Sequence, residues 1–403
     1  MKHIYIFDEL CNATKYGVGS YIQNLIKVLN SVDWNVTVVV FSSDNDCLEV
    51  KCENNIRYIY IPAIRVELIK TYKYYRNAFY LLYPYINKLE QNVLHLNYRN
   101  CKVIVPLLKS HFGFKVIVTW HYSSWLGVFT DNEVCEIVVK YRNNVCLSQK
   151  ELLLLEKISE EADLLNHHCD IVVVLNNHTC NLINLIYQVP ISKMKFIPNG
   201  IDDYICKSNV IRDSKNEMNI ADEHKLILFV GRLDDNKNLS LLIDSFHLIH
   251  SFDPNTHLVI VGAGNYDTFL PSIYPNTMYV HFMGFVDKSI LYGLYNIAYC
   301  CVIPSLSEQC SYVLLEMMMF SKAIVANRII GLMDILEDGV SGLLVNLLNN
   351  NQQSVELLAN AVIKLLVDKN QKKIYSMNAR NSYLEYYTFD KFKEKMLDLY
   401  LTC

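Results

Sequence analysis

Leu226-Ile227-Leu228-Phe229-Val230-Gly231-Arg232-Leu233 is the stretch that decides the fold, and Lys237 follows five residues after Arg232. Its first part, Leu226–Val230, is a continuous apolar run, which is typical of a strand buried on both faces. Such a strand belongs to a parallel sheet with helices on both sides. Open sheets of this type bind ligands at the carboxyl ends of their strands, so we expect Arg232 and Lys237 at such an edge.

Similar strand patterns recur in two series, with amphipathic stretches such as Tyr21–Leu29 and Leu152–Leu165 between them. A polar stretch, Asp202–Glu223, separates the series and is interpreted as the interdomain connection. We therefore predict an α/β fold with two parallel sheets in succession. The predicted strands are His3–Phe7, Val36–Phe41, Tyr58–Ile61, Val93–Leu96, Val116–Trp120 and Ile171–Leu175, then Leu226–Val230, Thr256–Val261, Tyr279–Phe282, Tyr299–Ile303 and Ala323–Ala326.

Composition limits the class of protein. The chain has 403 residues, 52% of them hydrophobic and 19% charged, which suits large buried cores and argues against disorder. A net charge of -4 gives no basic field for nucleic acid. The 13 cysteines form no CxxC pair, so we expect reduced thiols in a cytoplasmic protein.

Asp8 and Glu9 interrupt the first apolar run, which favours a core strand over a signal peptide. No apolar run reaches the length of about 18 residues that a membrane span needs.

Arg232 and Lys237 are the first candidate ligand-binding residues. Two cations beside the N-terminus of the expected helix would suit a diphosphate. Each charge-assisted contact would contribute about 1.5–3 kcal/mol. The alternative is that both cations form surface ion pairs with Asp234 and Asp235.

Two carboxylates follow the predicted strand Tyr299–Ile303. Glu308 falls on the loop, and Glu316 falls within an apolar run that predicts a helix. Carboxylates accept hydrogen bonds from sugar hydroxyls, and a charge among leucines and methionines needs a partner. The alternative for Glu316 is a helix-surface side chain that reaches solvent.

Glycines and a histidine supply further candidates. Gly17 and Gly19 follow the first strand and open a helix, where they permit a tight turn and close approach of backbone N–H groups to a phosphate. Ile22 replaces the third glycine of GxGxxG, which disfavours a dinucleotide site, and Gly262-Ala263-Gly264 is a similar, weak signal. His121 ends a predicted strand and is a candidate donor to a sugar hydroxyl, with a structural histidine as the alternative.

Two acidic or histidine-rich stretches resemble metal ligands. Asp44-Asn45-Asp46 follows a strand, and Asp-x-Asp can hold a divalent metal with a nucleotide, although a polar loop explains it as well. In His167-His168-Cys169-Asp170 the adjacent histidines point apart and no second cluster has zinc spacing. We therefore predict no metal site.

Taken together, these pieces resemble the retaining GT-B glycosyltransferases of family four. Six segments match the family motifs in order along nearly the whole chain: Gly17–Gly19, Val118-Thr119-Trp120-His121, Phe196–Asp202 (I-P-N-G-I/V-D), Val230–Leu233 with Lys237 (G-R-L-x-x-x-K), Glu308 with Glu316 (E-x7-E) and Ile335–Val345 (E-D-G-x-x-G-x-L-V). The resemblance implies two Rossmann-like domains whose parallel sheets face each other across a cleft. It also implies that the last helix crosses back to the first domain, which gives domains of 1–204 with 386–403, and 205–385.

The resemblance also implies roles for single residues. Arg232 and Lys237 would neutralise the donor diphosphate, and Glu316 would accept hydrogen bonds from the ribose. Glu308 would hold the transferred sugar, and His121 would lie near it. Gly17 and Gly19 would bring backbone N–H groups to the phosphate or acceptor side, and the donor loop, Cys310-Ser311-Tyr312, would contact the donor. The donor is expected to be a UDP- or GDP-sugar, with no cofactor and no bound metal.

Two departures from the family pattern leave the donor sugar open. The glycine-rich run usual after the first glutamate is Gln309-Cys310-Ser311-Tyr312 here. The usual Gly-Gly pair before the E-D-G segment is Ile330-Gly331, and the acidic partner is Asp334.

The acceptor is expected to be a glycan or lipid-linked hydroxyl in polysaccharide biosynthesis. Val66–Glu90 carries Lys70, Lys73 and Arg76 among several tyrosines. A basic, aromatic helix of this kind can lie on an anionic membrane, which would place the protein peripherally at the inner face of the membrane. The alternative, which we favour, is that the tyrosines pack on the sheet.

Other functions remain compatible with the sequence. They are a phosphorylase or epimerase of the same fold, a dinucleotide-dependent oxidoreductase, and a non-enzymatic nucleotide-binding or scaffolding protein. Both cations and both glutamates together argue against a scaffold, and the missing third glycine argues against the oxidoreductase.

Overall fold

A computed structural model of the chain describes residues 1–9, 17–63, 71–123, 125, 128–205, 215, 218, 220–347 and 352–403. Tyr16, Lys70 and most of the predicted connection Asp202–Glu223 lie outside the described residues. The chain folds into two compact units, of which the first is Met1–Pro198 with Lys393–Cys403 and the second is Asn199–Phe392.

The first unit is built on one sheet of mostly parallel strands. Within the described residues its order is β3-β4-β2-β1-β5-β6-β7-β8, and only β3 runs antiparallel to its neighbour. The strands are β1 Lys2–Glu9, β2 Asn35–Ser43, β3 Glu49–Glu53, β4 Ile56–Pro62, β5 Gln91–Leu96, β6 Lys115–Trp120, β7 Ile171–Val174 and β8 Met194–Phe196. All the strands predicted for this unit are present, but β3 and β8 were missed. The pattern of β3 is mostly exposed and polar, and β8 has 3 residues, so neither shows an apolar run.

Helices cover this sheet, and apolar side chains on one of its faces form a core with them. The helices are Gly17–Leu29, Thr71–Leu82, Ile104–Phe112, Asp131–Arg142, Gln149–Asp163 and Asn177–Tyr187. Capping boxes begin two of them, with Thr130 and Ser148 as the N-cap residues. Residues 393–402 of the last helix, Phe389–Thr402, also belong to this unit. Among the described residues, no helix is both long enough and apolar enough to cross a membrane.

The second unit contains a sheet whose described strands are all parallel, as predicted. Its order is β11-β10-β9-β12-β13-β14, so β9 and β12 are neighbours although they are far apart in sequence. The strands are β9 Lys225–Val230, β10 Thr256–Val261, β11 Val280–Gly284, β12 Cys300–Ile303, β13 Ala323–Asn327 and β14 Leu343–Val345. The helices are Leu239–Phe252, Lys288–Ile297, Tyr312–Met319, Ile330–Met333, Gln352–Val367 and Lys369–Tyr386.

A buried polar network joins the C-terminal helix to the first sheet. The Tyr400 hydroxyl lies 2.6 Å from Nδ1 of His95, and Nε2 of the same ring lies 2.7 Å from Oγ1 of Thr119. Thr119 in turn hydrogen-bonds the hydroxyl of Tyr21 at 3.0 Å. Burial lowers the pKa of His95 to about 3, so the ring is neutral and carries one N–H. Each buried polar atom of the network therefore has its partner, which fixes the position of the helix.

Removing one member of this network should destabilise the first unit. Tyr400→Phe leaves Nδ1 of the buried His95 without its partner, and we expect the free energy of unfolding to fall by about 1–3 kcal/mol. Denaturant unfolding measures this change. Tyr141→Phe is the matched control because Tyr141 is 59% exposed in the same unit. Equal stability of the Tyr400→Phe variant and the wild type would show that the network does not hold the helix.

Candidate active site

The loops that follow β9 and β12 bring opposite charges together. Nζ of Lys237 forms an ion pair with the carboxylate of Glu308, and the two side chains are 16% and 14% exposed. Lys237 ends a short 3₁₀ turn, Asp235–Lys237, and Glu308 lies on the loop, as predicted. The residue expected to bind phosphate and the residue expected to hold the sugar thus meet at the carboxyl edge of the second sheet.

Backbone contacts hold these two loops to each other. The Leu306 N–H donates to the Asn236 carbonyl at 2.8 Å, and the Asn236 amide donates to the Ser307 carbonyl at 3.1 Å. These bonds join the residues beside Lys237 to those beside Glu308. The ion pair therefore does not depend on two long side chains alone.

Arg232 follows β9 and is more open to solvent. Its guanidinium forms an ion pair with Asp234 at 2.7 Å, and the two side chains are 40% and 38% exposed. Of the alternative surface pairs considered from the sequence, the one with Asp234 is present, whereas Lys237 pairs with Glu308. A pair this exposed contributes little to stability, so Arg232 can exchange its partner at low cost.

Gly262 and Gly264 serve packing between adjacent loops. A Cβ on Gly262 would lie 1.7 Å from the Gly231 carbonyl oxygen, and its φ is +153°. The Leu233 N–H donates to the Ala263 carbonyl at 2.9 Å, which extends the pairing of β9 and β10 beyond their ends. The similarity of Gly262-Ala263-Gly264 to a phosphate loop thus reflects close backbone packing beside Arg232.

Asn199 holds the donor loop, Cys310-Ser311-Tyr312, through two hydrogen bonds to Cys310. The Asn199 side-chain amide donates to the Cys310 carbonyl at 2.7 Å, and the Asn199 N–H donates to Cys310 Sγ at 3.4 Å. Burial raises the pKa of the Cys310 thiol to about 12, so it stays protonated. Ser311 then caps the helix Tyr312–Met319, since its hydroxyl accepts from the Leu314 N–H at 3.3 Å. Sequence analysis had identified Asn199 only as part of the motif segment Phe196–Asp202.

Gly331 packs against the same loop. A Cβ at Gly331 would lie 2.0 Å from the Glu308 carbonyl oxygen and 2.8 Å from that of Gln309. Any side chain there would push the Glu308 backbone away. The retained glycine of the Ile330-Gly331 pair therefore has a direct packing role that the sequence alone did not reveal.

Glu316 lies inside the helix Tyr312–Met319, as predicted, and is partly buried. The Tyr295 hydroxyl donates to its Oε2 at 3.2 Å. Burial raises the pKa of Glu316 to about 7, against smaller lowering effects of Lys288 and the Tyr295 hydrogen bond. Burial, and to a smaller extent the neighbouring Glu316 carboxylate, raise the pKa of Tyr292 and Tyr295. Glu316 is thus a partnered carboxylate near its titration point at neutral pH, and not a freely solvated one.

His121 lies in the first unit at the end of β6. Its Nε2 lies 3.1 Å from Oδ1 of Asn97, whose amide donates to the Phe7 carbonyl at 3.4 Å, so Nε2 carries the hydrogen. The ring packs edge-on against Tyr21 with a centroid distance of 4.6 Å. Burial, with His95 and Arg99 nearby, lowers the pKa of His121 to about 3. The ring is neutral, and with the hydrogen on Nε2 its Nδ1 is an acceptor.

The glycine pair occupies a helix and not a turn before it. Gly17 is the first residue of the helix Gly17–Leu29, and Gly19 is buried within its first turn. The stretch opens a helix, as the sequence predicted, and the helix begins at least as early as Gly17. Backbone N–H groups in the first turn of a helix lack acceptors within that helix, so they can still face an anion.

Arg99 is a buried cation near His121 that sequence analysis missed. Its Nε donates to Glu161 at 2.8 Å and its Nη2 to the Tyr122 carbonyl at 2.9 Å, beneath the ring of Trp120 at 4.0 Å. Tyr187 donates to the other oxygen of Glu161 at 2.5 Å. The network fixes the backbone that follows His121. A lone arginine after a strand gives no sequence signal for such a role.

The two stretches that resembled metal ligands each make their own local contacts. His167 pairs with Asp163 at 3.0 Å, and Asn45 beside Asp44 and Asp46 hydrogen-bonds Glu49. Within the described ranges, no group of three or more His, Cys, Asp or Glu side chains is arranged to hold a metal ion.

Comparison with known families accounts for both units. The model described as Glycosyltransferase Family 4 matches residues 16–204, and the model described as Glycosyl transferases group 1 matches residues 210–382. The chain belongs to the GT-B glycosyltransferases of family four. The family suggested by the sequence motifs is therefore confirmed.

Relatives and solved structures agree with this assignment. An uncharacterised glycosyltransferase of Methanocaldococcus jannaschii is 29% identical over 242 residues, which is 58% of this chain and 60% of that protein. The chain spans about three fifths of the length of the first curated relatives that it matches. Sucrose-phosphate synthase from Thermosynechococcus elongatus is 21% identical with a TM-score of 0.77, over 100% of this chain and 99% of that one.

Anabaena HepE, solved in complex with UDP-glucose, is 15% identical with a TM-score of 0.71 over 100% of both chains. These structural likenesses show the fold, and the predicted GT-B fold is confirmed.

The close packing at Gly331 can be tested in this family-four protein. Gly331→Ala should lower the free energy of unfolding by about 3 kcal/mol and increase amide exchange in 305–312, because the Glu308 backbone must move. Gly284→Ala is the control: its φ is +65° but a Cβ there meets nothing within 4 Å. We expect it to cost about 1 kcal/mol and to leave exchange at 305–312 unchanged. Equal effects of the two substitutions would refute the packing role.

The raised pKa of Glu316 predicts a pH-dependent stability. Between its ordinary value of 4.5 and about 7, the folded protein keeps a proton that the unfolded chain releases. Stability from this group is therefore present at low pH and is lost as pH rises through about 7, by about 1–3 kcal/mol in total. Glu316→Gln should remove this slope in denaturant unfolding followed from about pH 5 to about pH 8. Glu385→Gln, at an exposed position, is the control, and an unchanged slope in Glu316→Gln would contradict the assignment.

Proposed function

We propose that this protein is a retaining glycosyltransferase that moves a hexose from a UDP- or GDP-sugar to a hydroxyl of a glycan or lipid-linked acceptor, without a bound metal ion. The observation that carries the proposal is the contact of Lys237 with Glu308 at the edge shared by β9 and β12. Lys237 suits the diphosphate and Glu308 suits the hexose. The diphosphate and the hexose are adjacent in a nucleotide-sugar donor.

Different residues of the second unit contact different parts of the donor in this proposal. Lys237 and Arg232 present cations to the two phosphates, and the N-terminus of the helix Tyr312–Met319 adds backbone N–H groups at Cys310-Ser311-Tyr312. Glu308 accepts hydrogen bonds from the hexose, and Glu316 accepts them from the ribose. The Anabaena protein solved with UDP-glucose supports a nucleotide-sugar donor by likeness of fold.

Charge development explains how these residues accelerate transfer. The bond from the anomeric carbon to the phosphate oxygen breaks through an oxocarbenium-like state, and negative charge grows on the leaving diphosphate. Arg232 and Lys237 stabilise that charge most when it is fully developed, which lowers the barrier. Attack by the acceptor on the same face retains the anomeric configuration, and the leaving phosphate takes the acceptor proton.

His121 acts in this scheme as a neutral group. Its pKa of about 3 keeps the imidazole uncharged across physiological pH, and Nδ1 can accept a hydrogen bond from a sugar or acceptor hydroxyl. Asn97 fixes the tautomer through Nε2. The imidazole therefore orients a hydroxyl and adds no charge of its own.

A thermal-shift titration with UDP, GDP, ADP and NAD, with and without EDTA, tests the donor site. We expect UDP or GDP to raise the unfolding midpoint regardless of EDTA, because bound ligand stabilises the folded state. In Lys237→Met the affinity should fall roughly ten- to a hundredfold, the equivalent of one lost charge-assisted contact of about 1.5–3 kcal/mol. Each variant is compared with its own ligand-free midpoint.

Lys225→Met is the matched control. Lys225 is the first residue of β9, at the end of the strand away from Lys237, and it pairs with Asp253 at 2.7 Å. We expect it to leave the nucleotide response unchanged. No response to any nucleoside diphosphate, or a response abolished by EDTA, would overturn the proposal.

Measurements of nucleoside diphosphate release and of the response to NAD distinguish the competing functions. Release of a nucleoside diphosphate with a sugar acceptor, independent of added phosphate, distinguishes transfer from a phosphorylase or epimerase of the same fold. A response to NAD alone would indicate an oxidoreductase. Nucleotide binding without any release would indicate a non-enzymatic binding protein.

A further inference from the structure

A cavity of about 520 Å³ lies at the amino edge of the first sheet. His3 is the second residue of β1, and Asn35 and Ile56 are the first residues of β2 and β4, so these three lining residues mark one end of parallel strands. At about 3.3 Å per residue, the strands put this end about 20 Å from the carboxyl edge of the sheet, which His121 follows. We call it the amino-edge cavity, and it is separate from the residues assigned to the candidate active site.

One wall of the amino-edge cavity is a continuous chain of hydrogen-bonded side chains. Nδ1 of His3 lies 2.6 Å from Oε2 of Glu90, and Nε2 lies 2.8 Å from Oγ1 of Thr37. Because a carboxylate only accepts, Nδ1 carries the hydrogen, and Nε2 accepts from the Thr37 hydroxyl. Nε of Arg57 donates to the same hydroxyl oxygen at 3.0 Å, and the Asn35 amide donates to Oε1 of Glu90 at 2.9 Å. These five side chains thus hold one another in a single arrangement.

The charges of this chain balance within the cavity. Arg57 is a cation and Glu90 is an anion. Burial lowers the pKa of His3, although its contact with Glu90 raises it, so the ring is neutral at neutral pH. A phosphate in the cavity would meet the Glu90 carboxylate, and an ammonium group would meet the Arg57 guanidinium. The cavity therefore favours a ligand without net charge.

The lining keeps polar groups for such a ligand. Nη2 of Arg57 donates to the Tyr85 carbonyl at 2.8 Å, and among the described residues only Nε and Nη2 of this side chain have acceptors, which leaves Nη1 for a ligand. Asn35 uses one N–H of its amide for Glu90, so its carbonyl oxygen and second N–H remain. Asn55 is exposed and adds another carboxamide to the lining. Each carboxamide offers both donors and an acceptor.

The chemistry of this lining matches a neutral sugar. Every sugar hydroxyl donates and accepts, and neighbouring hydroxyls of one ring form pairs that a planar guanidinium or carboxamide can bind through two hydrogen bonds. Pockets for small ligands commonly measure about 300–1,000 Å³, so the amino-edge cavity has room for a mono- or disaccharide. Since the polar wall is already ordered, a ligand loses little affinity to the ordering of side chains.

We propose that the amino-edge cavity is a binding site for a neutral saccharide. Arg57, Asn35 and Asn55 bind its hydroxyls, and the chain through Thr37, His3 and Glu90 positions Arg57 and Asn35. Saccharide binding at this site requires neither a nucleotide-sugar donor nor sugar transfer.

Saturation-transfer NMR on the full chain without nucleotide tests the proposal. The probes are maltose and the methyl glycosides of glucose, galactose, mannose and N-acetylglucosamine. We expect the wild type to transfer saturation to at least one of them. In Arg57→Met the affinity for that probe should fall roughly tenfold or more, because a charged donor is lost. Asn55→Ala should lower it roughly threefold or more, since a neutral hydrogen bond is lost.

Two substitutions elsewhere in the first unit are matched controls. Nη2 of Arg142 donates to the Leu185 carbonyl at 2.7 Å, much as Arg57 does to Tyr85, so Arg142→Met removes a comparable guanidinium. Asn54 precedes Asn55, and their φ angles are +50° and +64°, so Asn54→Ala imposes similar backbone strain outside the lining.

Both controls should bind the probe like the wild type. Unfolding midpoints are compared for all variants, and if Arg57→Met lowers its midpoint, the pair Asn55→Ala and Asn54→Ala decides the outcome.

Three results would overturn the proposal. They are no saturation transfer from the wild type to any of the five saccharides, wild-type affinity in both Arg57→Met and Asn55→Ala, and an equal loss of affinity in the controls. Binding of inorganic phosphate that is lost in Arg57→Met, without saccharide binding, would mean that the cavity recognises an anion.

Discussion

The ion pair between Lys237 and Glu308 is the contact on which the candidate site of the second unit depends. Both side chains are largely removed from water, and such a pair contributes little net stability because desolvation offsets the Coulomb attraction. Its value is positional: it holds a cation and a carboxylate in contact at the ends of two neighbouring strands. A donor that offers phosphate to one and hydroxyls to the other can replace this contact without a large rearrangement.

Backbone packing keeps those charges in place. Gly262 allows the loop after β10 to touch Gly231, and Gly331 allows the helix Ile330–Met333 to touch Glu308. At both positions the neighbour of the missing Cβ is a carbonyl oxygen, which cannot rotate away as a side chain can. The backbone at Arg232 and at Glu308 is thus held by the neighbouring loop or helix that packs against it. This favours preorganisation of the site.

Sequence patterns were sufficient for elements whose signal is local. Continuous apolar runs identified β9 and β12, and the position of Glu308 on a loop and Glu316 in a helix followed from them. Contacts between distant segments were not predictable in this way. Asn199 and Cys310 are 111 positions apart, and nothing local marks either as the other's partner. The tautomer of His121 was not predictable either, since it is set by Asn97, which follows the neighbouring strand β5.

The departure from glycine in the donor loop has a physical explanation in the same contacts. A glycine run gives a loop freedom to adopt left-handed conformations, but among the described residues none between Glu308 and Tyr312 has a positive φ. The Cys310 side chain turns into the protein, where it is 6% exposed and accepts from the Asn199 N–H. Side chains at 309–311 therefore cost no backbone strain. The loop loses flexibility that glycine would supply and gains a fixed anchor at Asn199.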